Sequence, residues 1–257
     1  EIGGFKWPTD GISIIPVSLV ISVVFFVLFV LWEKSREKAH KNVLLDLDLF
    51  KISSFRNGSF AALIISMGEF GLLFAIPLWL QNVEGLTPVS SGLVLLWLAG
   101  GAFLASGVGG AMSGKLPAVR AVQIGVLFEL IGVAGIALVA TTGGGWWPVA
   151  PFLLLYGIGV GLATAQLTGV IMVEVPMTKI GQASGSQSTV RQIGSALGIA
   201  VLGTILFTAT QAAADTRLNA TAALQSMPSD QRATFIEGLS TTVVDSSGGF
   251  LPMIKGT

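Results

Sequence analysis

Six apolar runs, each long enough to cross a bilayer, dominate this chain of 257 residues. A helix needs roughly 20 mostly apolar residues to span the hydrocarbon core. The runs cover 11–32, 59–80, 90–112, 117–140, 148–173 and 188–208. The first holds no charge; Glu69 interrupts the second, Glu129 the fourth, and Arg191 stands in the first turn of the sixth. Backbone polar groups find no water in hydrocarbon, so runs of this kind are predicted to be helices. The ten-residue alternation of a membrane barrel strand is absent from the sequence. The expectation is an all-α polytopic membrane protein.

Composition removes most other functions. The chain is 52% apolar and 11% charged, with a mean hydropathy of +0.80, whereas about a quarter of a soluble domain is charged. Lys and Arg number 14, and so do Asp and Glu, which leaves no excess charge to hold nucleic acid. Without Cys there are no disulfides, thiolate metal sites or Cys nucleophiles. His40 is the single His, too few for a His-based metal site or triad. Gly157, Gly159 and Gly161 do not complete a dinucleotide fingerprint, and no phosphate-loop, nucleophile-elbow or zinc-helix motif occurs. Asp46 and Asp48 would be the best candidates for an enzyme, yet they lack a nucleophile or metal partner. No enzyme activity and no cofactor are expected. The chain opens on Glu1 with no basic leader. It reads as a piece of something longer, the alternative being a complete small protein without its Met.

Loop charges set an expected orientation. Lys34, Arg36, Lys38, Lys41, Lys51, Arg56, Lys115, Arg120 and Lys179 fall on one side of the membrane. Lys6, Arg217, Arg232 and Lys255 fall on the other. The positive-inside rule places the first group in the cytoplasm. Trp7, Trp79, Trp146 and Trp147 then lie at the outer interface, where indole rings prefer to sit. Between the first two runs, Leu44, Leu45, Leu47 and Leu49 alternate with Asp46 and Asp48. This pattern reads as a short segment burying its leucines among lipid headgroups. Beyond the sixth run, Gln211–Gln225 and Asp230–Leu239, split by Pro228, read as a surface helical hairpin or a solvated linker.

Several blocks line up in one order. They are Leu80-Gln81, then Gly85-Leu86-Thr87-Pro88 and Ser91-Gly92-Leu93; a degenerate basic loop from Gly110 to Arg120; Gly157, Gly159 and Gly161; Val175-Pro176; Gly181 to Gly185; and Arg191-Gln192 with Gly194 and Gly198. Together they resemble the carboxyl-terminal portion of a major facilitator superfamily protein, of the fourteen-helix drug/proton antiporter branch. Trp97 departs from the pattern, standing where that branch often has Pro. The resemblance implies a linker helix in 1–32, a cytoplasmic loop in 33–58, five helices of the carboxyl-terminal transporter half in 59–208 and an outer loop in 209–257. It also implies proton-coupled multidrug efflux by alternating access across the cytoplasmic membrane. The partners would be a hydrophobic or cationic small molecule, membrane lipid and an amino-terminal half. Export of an endogenous metabolite, lipid or siderophore on the same fold is one alternative. A non-transporting membrane scaffold is another.

Ionisable side chains at mid-membrane depth are costly and face protein or water. Glu69 shares a helical face with Ser59 and Ser66, and the resemblance puts that helix against the cavity. It is the first candidate for proton coupling. Glu129, beside Gly125, Gly132 and Gly135, is the second, although the resemblance makes its helix peripheral. Either carboxyl serves equally as an interhelical hydrogen-bonding group. Arg191 either snorkels to the interface or pairs with Glu174 as a gate. Lys115 and Arg120 belong to the basic loop motif. Phe70, Phe74 and Tyr156 are candidates for an aromatic wall that draws cations, joined by Trp97 as a cavity wall and Gln166 with Thr168 as hydrogen-bonding groups. Packing explains each of these as well.

Overall fold

The computed structural model describes residues 14–38, 43, 46–111, 116–140 and 144–220. Six α-helices carry the fold: α1 (Ile14–Lys38), α2 (Ser53–Asn82), α3 (Pro88–Ala111), α4 (Ala118–Val139), α5 (Ala150–Met172) and α6 (Ile180–Ala220). All six are long and apolar enough to cross a membrane, and no strand occurs among the described residues. The fold class is therefore all-α, a bundle of membrane-length helices.

The helices outrun the apolar stretches that mark them. Hydropathy places the second run from 59, yet α2 begins at Ser53 and takes in Arg56 and Gly58. The sixth run is marked from 188, yet α6 begins at Ile180 and continues to Ala220 as 41 residues. At about 1.5 Å per residue, α6 is roughly twice the thickness of the hydrocarbon core. The polar block 181–187, expected in a loop, is thus helical, and so is 211–220. The second half of the expected hairpin lies outside the described residues.

Turn chemistry fixes two connections. Gly85 adopts φ +69° between α2 and α3, a left-handed conformation that other residues rarely take. Thr87 then caps α3, its hydroxyl oxygen accepting from the Ser90 amide at 3.2 Å, and Pro88 occupies the first helical position. Gly145, at φ +77°, turns the chain toward α5.

Helix α5 is the centre. Of its most apolar window 44% is buried, against 22% for α2, α3, α4 and α6 and 6% for α1. It packs along α3 on one side and α4 on the other, while α2 packs along α6. Contacts of α2 with α5 and α3 join the two groups. Glycines permit the close approach. Gly157 and Gly161 lie directly on the α3 backbone at Leu98 and Ala102, and Gly101 on the backbone of α5 at Leu154. Gly159 and Gly125 meet across the α4–α5 seam, where a Cβ on Gly125 would stand 2.7 Å from the Ala163 nitrogen. In the other pair, Gly194 and Gly198 rest on the α2 backbone at Leu63 and Met67. Small residues four apart are the usual means of close helix contact in lipid. One apolar cluster, including Phe55, Leu167 and Ile171, closes the end of the bundle near Lys179. A second, including Leu80, Val149 and Leu153, closes the opposite end.

Residues 46–52 dock on the first cluster. Asp46 caps a short 3-10 turn, accepting from the Asp48 amide at 2.9 Å, and pairs with Lys179 ahead of α6. Gln182 donates to the Val43 carbonyl at 2.8 Å. Leu49 is fully buried among protein side chains. The headgroup burial expected for it is corrected, because the start of α2 together with the α5–α6 junction supplies the apolar contacts instead. Leu44 and Leu45 lie outside the described residues.

Candidate functional site

Between the two apolar ends, α6 turns a polar stripe inward. Ser184, Gln187, Ser188, Arg191, Gln192 and Ser195 recur at helical spacing and line a cleft of about 300 Å³. Thr168 of α5 and Phe70 of α2 complete its wall. Gln187 is buried and donates to the Thr168 hydroxyl oxygen at 3.1 Å, which fixes α6 to α5 beside the cleft. The cavity lies at the lower end of the volume range of small-molecule sites.

One charge pair stands at this wall. The Arg191 Nη2 is 3.9 Å from the Glu69 Oε2, joining α6 to α2. The Arg191 side chain is 32% exposed and lines the cleft, whereas the Glu69 side chain is 13% exposed and sits behind it. The separation is too long for a hydrogen bond, and the buried Glu69 oxygen has no hydrogen-bond partner. By helical rise Arg191 stands roughly 16 Å into α6 and Glu69 roughly 24 Å into α2, both well inside the spanning lengths. The polar face below Glu69 is present too, since Ser59 and Ser66 are both buried.

The expected gate between Arg191 and Glu174 is corrected. Because α6 starts at Ile180, Arg191 is carried away from the helix end and toward Glu69. Glu174 stays at that end and accepts from the Ser54 amide at 3.2 Å, at the N-terminus of α2 where a negative charge is favoured. The contact with Ser54 holds the Glu174 carboxyl below the usual carboxylate range.

The aromatic wall does not assemble. Phe70 lines the cleft, but Phe74 lies against Gly203 farther along α6. Tyr156 is fully buried on α5, pressed against Gly132 of α4. Trp97 is 40% exposed and is not part of the cleft lining. Gln166 is likewise drawn elsewhere: its amide donates to the Gly109 carbonyl at 2.8 Å and ties α5 to α3. Arg120 is exposed in the first turn of α4, and Lys115 lies outside the described residues. Glu129 faces α5 near Gly159, with one buried oxygen lacking a hydrogen-bond partner. The hydrogen bond offered as its structural alternative is not made by that oxygen. Among the described residues no cluster of acids or His can hold a metal.

Sequence reasoning missed Ser184, Gln187, Ser188, Gln192 and Ser195. Their signal was present as a three- and four-residue polar repeat, masked by reading 181–187 as loop.

Ionisable groups at mid-span are rare and mark functional sites, so bundle and cleft together describe a multi-pass membrane protein with a buried polar site. The Major Facilitator Superfamily model matches residues 2–199. A tetracycline resistance determinant of Streptomyces rimosus is 33% identical over 169 residues, covering 64% of this chain and 47% of that protein. Multidrug resistance protein Stp of Mycobacterium tuberculosis is 31% identical over 170 residues, 66% of this chain and 31% of its own length. The multidrug efflux pump LfrA of Mycolicibacterium smegmatis is 31% identical over 202 residues, 78% of this chain and 39% of that protein. The chain belongs to the major facilitator superfamily. It is a multi-pass membrane protein chain, and it spans from 31% to 47% of the length of these curated relatives.

Proposed function

We propose that this chain is part of a proton-coupled exporter of drugs or other small molecules, working by alternating access in the cytoplasmic membrane, with its basic loops inside. The observation that carries the reading is the Glu69–Arg191 pair at the wall of a mid-span cleft. Sites of this kind in transporters lie near the midplane, between moving halves. Ionised Glu69 holds the Arg191 guanidinium in the cleft wall. When Glu69 takes up a proton the counter-charge disappears, Arg191 is released and the cleft loses the shape that binds its ligand. Proton and ligand therefore exclude one another, which is the linkage an antiporter needs. Glu129, with a buried oxygen left without a hydrogen-bond partner, serves as a second carboxyl on the proton's route. The amino-terminal half and the lipid around α1 complete the assembly, and a proton gradient supplies the energy without a cofactor.

Export of an endogenous metabolite is the second reading. It is favoured by relatives named as a probable actinorhodin transporter and a tetracenomycin C resistance and export protein.

The test is Glu69→Gln in the full-length transporter, in everted vesicles. The expected result is drug transport that no longer responds to an imposed pH gradient, with normal protein levels. Unchanged gradient dependence would overturn the reading.

A further inference from the structure

The cleft also constrains the substrate, on the reading that it is the transported solute's site. Its lining is polar at every position but Phe70. Among the described residues the one full charge that reaches it is positive, because Arg191 lines the cleft and Glu69 lies behind. Arginine carries five N–H donors and no acceptor. Among the described residues none accepts a hydrogen bond from Arg191, whose nearest carboxylate oxygen is 3.9 Å away. The exposed hydroxyls of Ser184 and Ser188 stand on the same stripe and can donate as well. Unpaired donors at membrane depth are stabilised by a ligand that brings acceptors. A cation gains nothing here: the guanidinium repels it, the carboxylate lies behind, and three of the four expected aromatics are elsewhere. An anion would pair with freed Arg191 and so bind together with a proton, against the exclusion argued above.

We propose that the cleft selects an uncharged ligand that accepts hydrogen bonds from Arg191, and that Arg191 excludes permanent cations.

The test measures binding by the purified full-length transporter of two probes, an uncharged dihydroxyanthraquinone and tetraphenylphosphonium. Wild type is expected to bind the quinone at least about tenfold more tightly, the scale of one charged hydrogen bond. Arg191→Gln should lower that ratio by about tenfold or more, by weakening the quinone and admitting the cation. Arg191→Lys keeps the charge and should still exclude tetraphenylphosphonium. Equal binding of both probes by wild type, binding of neither, or a ratio unchanged in Arg191→Gln would overturn the inference. A preserved quinone preference with transport insensitive to the pH gradient would sink the proton-coupled reading and leave the substrate class standing.

Discussion

The α3–α4–α5 group and the α2–α6 pair use the same packing device to different ends. Both bring helices together through glycines on facing backbone: Gly157 and Gly161 on α3, Gly194 and Gly198 on α2. In the first group the seams are mostly apolar, with Tyr156 and Leu153 fully buried and Gln166 crossing from α5 to α3. In the second, the face of α6 next to the glycine seam carries Gln187, Arg191 and Ser195. Close packing is thus a common scaffold, and function enters where one face of a helix stays polar. Glu129 tests the rule, because it is the acid among the membrane-spanning residues of that mostly apolar group.

The largest effects should come from breaking the scaffold. A side chain at Gly157 or Gly198 would run into main-chain carbonyls at Leu98 or Met67, which cannot move aside. Gly157→Leu and Gly198→Leu are each expected to abolish recovery of monodisperse full-length transporter in detergent, since overpacking commonly costs about 1–3 kcal/mol and backbone clashes cost more. Next come the carboxyls. Glu69→Gln should eliminate the pH-gradient response while protein yield stays normal. Glu129→Gln should slow gradient-driven transport by less than about tenfold, as a group on the route but away from the cleft wall. Vesicle transport at matched expression separates the two. A smaller effect is expected at Asp46. Its pairing with Lys179 is partly exposed, so Asp46→Asn should lower thermal stability by about 1 kcal/mol or less. The smallest belongs to Gly100, whose added Cβ would touch nothing within 4 Å. Gly100→Ala should leave transport unchanged and raise stability by up to about 1 kcal/mol.

Hydropathy made the six helices legible because hydrocarbon imposes a length and forbids unsatisfied backbone. It also singled out Glu69, Glu129 and Arg191, because charge at that depth is rare. It misplaced the start of α6, since Ser, Gln and Gly at 181–187 read as a loop until a neighbouring helix is known to face them. The same error put Arg191 near Glu174 and not beside Glu69. The aromatic wall failed for a related reason. Phe74 and Tyr156 are apolar residues on apolar helices, and only the packing of α4 against α5 and of α2 against α6 decides which way each one points. Leu49 went to the protein core and not to lipid headgroups because its docking surface joins the start of α2 to parts of α5 and α6 that lie far along the chain.

The most direct measurement of the central claim is proton release on ligand binding by the purified full-length transporter in weakly buffered detergent solution. If ionised Glu69 holds Arg191 in place for the ligand, adding the dihydroxyanthraquinone should release protons from wild type and from Glu129→Gln, and none from Glu69→Gln. Undiminished release from Glu69→Gln would contradict the account.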